Sequence, residues 1–230
     1  MSDDSDTSAA GKPERPSLSA AARRCLGVLV EKAKTTPDNY PLSLAAVITG
    51  ANQKSNRAPQ MELDEGAAMI ALDELREVGA AREIQGGGRV NKYRHAAYEF
   101  FDVDSPGAAI LTELLLRGPQ TVGELRTRAS RMHAFADLQA VQQELDQLAE
   151  KNWVEPLSPA GRGQLFSHTL YTPQERQYLL PKLEKTSAAV EATGTTASAQ
   201  DDRLQRIQSR LDEVTGRLEV LEAKLADLES

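Results

Sequence analysis

Leu72-Asp73-Glu74-Leu75 returns downstream as Leu145-Asp146-Gln147-Leu148, and the segments around the two tetrapeptides run through the same order of elements. The first lies in an apolar series, Met69, Leu72, Leu75 and Val78, that marks a helix closed by Gly79. The second lies in the series Leu138, Val141, Leu145 and Leu148. Before the first copy stands Ser43, an N-cap for a short helix through about Ala51, then the polar loop Asn52–Arg57. Before the second stands Thr121-Val122-Gly123-Glu124, a capping box, then the loop Arg131–Ala136. Earlier still, Ala22, Leu26, Leu29, Val30 and Ala33 predict a helix ended by Thr36-Pro37. Ala109, Ile110, Leu114 and Leu115 predict its counterpart, ended by Gly118-Pro119. After each tetrapeptide comes a strand–turn–strand. Ala81–Ile84, the glycines Gly86–Gly88 and Arg89–Arg94 form the first; Val154–Leu157, Ser158–Gly163 and Leu165–Tyr171 form the second.

Two copies of helix–helix–helix–hairpin predict a mainly α chain with small β-hairpins (α+β), arranged as tandem winged-helix, helix-turn-helix type domains over residues 18–98 and 99–185. The connection near Glu99–Pro106 carries Phe100, Phe101 and Val103, too apolar for a free linker. Either the two domains pack on one another there, or these residues close the first domain. Residues 1–17 are rich in Ser, Asp, Pro and Gly and read as a disordered tail. Residues 186–202 hold eleven Thr, Ser or Ala out of seventeen and read as a flexible linker.

Beyond the linker, Leu204, Ile207, Leu211, Val214, Leu218, Leu221, Leu225 and Leu228 alternate at spacings of three and four, the seam of a coiled coil over residues 203–230. The flanking g positions Arg203, Arg210, Arg217 and Lys224 are all basic. A parallel pair brings Arg217 to Glu222 and Lys224 to Glu229, whereas an antiparallel pair sets basic rows against each other. The expected partner is therefore a second copy of the chain in a parallel coil, with dimer and trimer both open because leucine fills every a position.

The 230 residues carry 27 Lys and Arg against 34 Asp and Glu, a net charge of −7, which excludes a uniformly basic nucleic-acid coat. Cys25 is the one cysteine, so an intramolecular disulfide is excluded, and no histidine pair has metal spacing. The acidic N-terminus has no apolar signal core, and no stretch reaches the ~20 apolar residues of a membrane span. No nucleophile triad, phosphate loop or dinucleotide fingerprint is visible; the expectation is a cytoplasmic protein that is not an enzyme and uses no cofactor and no metal.

Charge is distributed unevenly. Residues 18–60 hold six basic and two acidic side chains, and residues 85–98 three basic and none acidic. Residues 61–84 hold two basic and seven acidic, so the helix that would enter a DNA groove has the wrong sign. Any nucleic-acid contact then falls to Lys54, Arg57, Arg89, Lys92, Arg94, Arg126, Arg128 and Arg131, unless these simply pair with the acidic helices.

The segments Tyr40-Pro41-Leu42-Ser43-Leu44, Asn52-Gln53-Lys54-Ser55-Asn56-Arg57 and Leu114-Leu115-Leu116-Arg117-Gly118-Pro119-Gln120-Thr121 resemble the YceH family of bacterial proteins. So does Gly123-Glu124-Leu125-Arg126 with Arg128, Arg131 and Met132-His133, and the likeness spans roughly Leu18 to Leu170. The resemblance implies tandem winged helices and a bacterial cytoplasmic setting; it supplies no catalytic residue and no ligand. The second wing departs from the family's basic pattern, since Ser158–Leu170 holds only Arg162 and His168. Two functional expectations stand side by side: a DNA-binding or transcription-associated protein oligomerised by its coil, and an acidic protein–protein scaffold without direct DNA contact.

Overall fold

The computed structural model describes residues 16–85, 91–161 and 163–178. Most of the expected N-terminal tail, Arg89 in the first hairpin, the linker 186–202 and the coil 203–230 lie outside the described residues.

Helix α1 (Ala20–Thr35) starts at Ser19, whose hydroxyl accepts from the Ala22 N–H at 3.1 Å and satisfies one orphan donor of the first turn. A short 3-10 turn (Pro37–Asn39) leads to strand β1 (Leu42–Ser43) and helix α2 (Leu44–Ala51), which Ser43 caps as its spacing predicts. Helix α3 (Glu65–Glu77) is capped by Asp64, and Gly79, at φ +78, turns the chain into strands β2 (Ala81–Ile84) and β3 (Lys92–His95). The three strands form an antiparallel sheet in the order β1-β3-β2, with Leu42 opposite Tyr93 and Ala81 opposite His95.

After the five-residue helix α4 (Ala97–Phe101) the pattern restarts with α5 (Ser105–Arg117), β4 (Gln120–Thr121), α6 (Val122–Ala129), α7 (Leu138–Glu150), β5 (Val154–Pro156) and β6 (Leu165–His168). The second sheet repeats the first, in the order β4-β6-β5, and the Thr121–Glu124 capping box is formed with both of its hydrogen bonds. The architecture is α+β, a duplicated helix–strand–helix–helix–hairpin.

One apolar core runs through both copies, and all described residues belong to one compact unit. α1 is buried from Ala22 to Glu31 and α5 from Gly107 to Leu116, the signature of helices covered on every side. Their axes approach so closely that a Cβ on Gly27 would stand 2.8 Å from the Leu116 side chain. Phe101, 1% exposed, meets Trp153 of the second copy edge-on at 4.9 Å, and the Trp153 indole N–H donates to the Phe101 carbonyl at 2.7 Å. The apolar connection between the copies is thus the short helix α4 packed on the second copy's aromatic residue. The copies are also stitched through the backbone, Leu18 N–H to Leu170 O and Ala58 N–H to Leu116 O, each at 3.0 Å.

Both apolar series form helices, but not every member of them is buried. Met69 and Leu138 are 46% and 51% exposed, because the buried stripe of α3 runs through Ala68, Ala71, Leu72 and Leu75, and that of α7 through Val141, Leu145 and Leu148. A further helical turn, residues 173–178, starts at a second capping box between Thr172 and Glu175 that the sequence reading passes over.

Candidate functional site

The basic residues singled out from the sequence divide sharply by position. Arg57 is inside the protein. Its side chain is 0% exposed, its Nη2 lies 2.5 Å from Glu31 Oε2, and its Nε donates to the Gly50 carbonyl at 2.9 Å. A guanidinium held this way cannot reach a phosphate, so Arg57 is removed from the nucleic-acid set.

Arg131 belongs to the same cluster. Its Nη2 lies 2.6 Å from Glu31 Oε1 and 3.0 Å from Glu113 Oε1, joining carboxylates of α1 and α5. Arg117 Nε stands 3.0 Å from Glu113 Oε2, and its Nη2 donates to Asn56 Oδ1 at 2.6 Å. Arg128 is held by Gln120 and Glu124 at 2.8 and 3.0 Å, and Arg126 donates to the Ala136 carbonyl at 2.9 Å. Arg57, read as a surface contact, is corrected to an internal fastener; Arg126, Arg128 and Arg131 keep solvent access but have protein partners. Lys54, Lys92 and Arg94 stay exposed and form no ion pair among the described residues, while Arg89 and the eight heptad positions from Leu204 to Leu228 lie outside them.

The sequence pass did not single out Glu31 and Glu113 as a pair. Both are buried, 2% and 0% exposed, and they occupy equivalent places, Leu29-Val30-Glu31 and Leu111-Thr112-Glu113. The legible signal is a carboxylate inside an otherwise apolar helical run, which demands a cation from elsewhere in the fold.

Helix α3 offers a different surface. Glu74 is turned inward to cap α1, accepting from Ser19 N–H at 2.7 Å and from its hydroxyl at 2.6 Å. Arg76 is held by Asp73 and Glu83 at 2.7 and 3.0 Å. The outward face then shows Met69 and Ile70, 46% and 72% exposed, among the exposed carboxylates of Glu62, Glu65, Asp73 and Glu77. On α7, Leu138 is exposed beside Asp137, which caps the helix through Ala140 N–H at 2.8 Å.

Groups that could do chemistry are quiet. Burial pushes the Cys25 thiol up to about 12, away from the thiolate. Burial pulls His95 down to about 4 and His168 to about 3, leaving both neutral at pH 7. Each accepts a backbone N–H on Nδ1, from Ala97 and Leu170, at 3.2 Å. Among the described residues no cluster of three His, Cys, Asp or Glu side chains has the geometry to hold a metal ion, and no helix is long and apolar enough to cross a membrane.

The sequence profile of a family described as "Protein of unknown function, DUF480" matches residues 18–161. A UPF0502 protein of Rhodopirellula baltica is 67% identical over 199 residues, covering 83% of this chain and 84% of its own. Another UPF0502 protein, of Geobacter metallireducens, is 42% identical over 200 residues, covering 84% of this chain and 88% of its own. The family match reaches from α1 to β5, Glu31, Glu113 and the exposed face of α3 included, and on it the chain belongs to the DUF480, or UPF0502, family of bacterial proteins.

Proposed function

We propose that this protein is a non-enzymatic cytoplasmic adaptor, in which two winged-helix units present protein-docking surfaces and a parallel C-terminal coiled coil multiplies them. The repeated helix–strand–helix–helix–hairpin with a three-stranded sheet supports the winged-helix reading, and the unbroken heptads of residues 203–230 support the coil.

The observation that carries the adaptor reading is the outward face of α3. In a DNA-reading winged helix this helix meets the phosphate field. Here it shows Met69 and Ile70 in a frame of carboxylates. Duplex DNA repels such a face, whereas a basic segment with an apolar anchor complements it in both charge and hydrophobicity.

A photo-crosslinking residue placed at position 70 of the full chain tests this in cells. The expected result is one protein adduct that Asp73→Lys with Glu77→Lys abolishes, and none from the same probe at exposed position 126. Equal adducts at both positions, or adducts indifferent to the charge reversal, would count against the reading.

DNA contact is the second reading, favoured by the exposure of Lys54, Lys92 and Arg94. Anisotropy with labelled duplex DNA at about 50 and 200 mM salt discriminates the two, since phosphate contacts lose affinity steeply over that range.

A further inference from the structure

The seam between α1 and α5 carries more positive charge than it neutralises. Three guanidinium groups, Arg57, Arg117 and Arg131, gather around two buried carboxylates, Glu31 and Glu113, and a fourth, Arg24, lies within electrostatic reach of Arg57. Arg24 is the unbalanced member. It is 2% exposed, its Nη1 and Nη2 donate to the carbonyls of Ala51 and Pro59 at 3.0 and 2.7 Å, and its Nε is unpartnered. No carboxylate faces it among the described residues; burial and the neighbouring Arg57 together lower its pKa to about 10. Buried charges are ordinarily paired, so a guanidinium satisfied only by carbonyl oxygens retains an unmet demand for an anion.

Arg24 and Arg117 share the wall of a cavity of about 520 Å³, whose lining comes from both copies and includes Met61, Leu114 and Leu115. That is the size of a small-molecule site, apolar with a few polar groups. The one carboxylate in the lining, Glu175, is taken: Arg23 holds it at 2.6 and 2.8 Å, and that pairing pulls its pKa down to about 2. The protein therefore supplies cations and an apolar floor here but no spare anion.

We propose that this cavity binds a small organic anion with an apolar body, its head group drawn to Arg24 and Arg117 and its body seated on Met61, Leu114 and Leu115. Seated there, the anion touches both copies of the repeat and the helical turn at 173–178. The class it fits is a medium-length aliphatic or aromatic carboxylate. Acetate lacks the body, and a neutral or cationic chain of equal length lacks the head.

Calorimetric titration of the full chain with sodium octanoate tests the site, against 1-octanol, octylammonium and acetate. Saturable binding of one octanoate per chain is expected, at least tenfold tighter than any of the other three. Ala20→Trp, at an exposed position on the cavity rim, is expected to abolish octanoate binding while the circular dichroism spectrum stays unchanged. Arg117→Gln is expected to erase the preference for octanoate over octanol. Equal affinity for octanol, octanoate binding that survives Ala20→Trp, or no saturable binding at millimolar octanoate would each overturn the proposal.

Discussion

Arg131 Nη2 lies 2.6 Å from Glu31 Oε1, so the loop after α6 in the second copy is bonded to the first helix of the first copy, in the same carboxylate that holds Arg57 at 2.5 Å. Glu31 has two arginines and almost no water, being 2% exposed. Removing its charge strands a buried guanidinium. Glu31→Gln is expected to cost about 3–5 kcal/mol in urea unfolding, whereas Glu31→Met combined with Arg57→Met should cost less than Glu31→Gln alone. A double variant worse than the single would mean that the pair stabilises the fold beyond mutual compensation.

Gly27 makes a steric prediction. Its absent Cβ leaves room for Leu116, which a methyl would meet at 2.8 Å. Gly27→Ala should destabilise by about 1–3 kcal/mol, and Leu116→Ala in the same chain should recover part of that loss. Additive effects in a double-mutant cycle would show that the two residues do not share the contact.

His168 sets the acid response. It is 2% exposed and neutral in the folded chain, with a pKa of about 3 against the ordinary 6.5. The unfolded chain takes up its proton first, so stability is intact above pH 6.5 and falls as pH drops from there through about 3. Near pH 5.5 the slope from this residue is about 1 kcal/mol per pH unit. His95, lowered to about 4, acts in the same direction, and the Glu175–Arg23 pair adds a further loss below pH 4.5. His168→Asn keeps an acceptor for the Leu170 N–H and cannot be protonated. Its unfolding free energy, followed between pH 7 and 5, should vary less steeply than that of the parent.

Met69 and Ile70 should be dispensable for folding. Both face outward from α3, so Met69→Ser with Ile70→Ser is expected to shift stability by less than about 0.5 kcal/mol. A large loss would place these side chains against something that stabilises the chain itself.

Residues 203–230 carry the prediction of mass. A chain ending at Gln200 should scatter light as a monomer, whereas the full chain should scatter as a parallel dimer or trimer. An unchanged mass would remove the coil from the adaptor reading.

The parts of this fold visible in the sequence are those written in local chemistry. The Thr121–Glu124 box, the Ser43 cap and the glycine after α3 depend on residues within four positions of each other, and each forms as its spacing predicts. Met69 and Leu138 belong to the apolar series that mark α3 and α7 yet stay exposed, because an apolar period fixes a stripe only to within a residue, and both helices turn their smaller or later apolar residues inward. Arg57 was misread for a different reason. Its partner stands 26 residues away on another helix, and a polar loop rich in Asn, Lys and Ser looks the same whether its arginine faces water or a carboxylate. The candidate cavity was invisible altogether, since its walls come from four separated stretches.

The burial of α1 from Ala22 to Glu31 has a consequence for how such a chain can change over time. A duplicated unit ordinarily leaves a spare, and one copy can drift or be lost while the other works on. Here the first helix of one copy is a wall of the other's interior, and its partner carboxylates answer to arginines on both sides. Deleting either half exposes a greasy helix and an unanswered charge in what remains. The pair has become indivisible, and a substitution in α1 must satisfy two sets of neighbours at once.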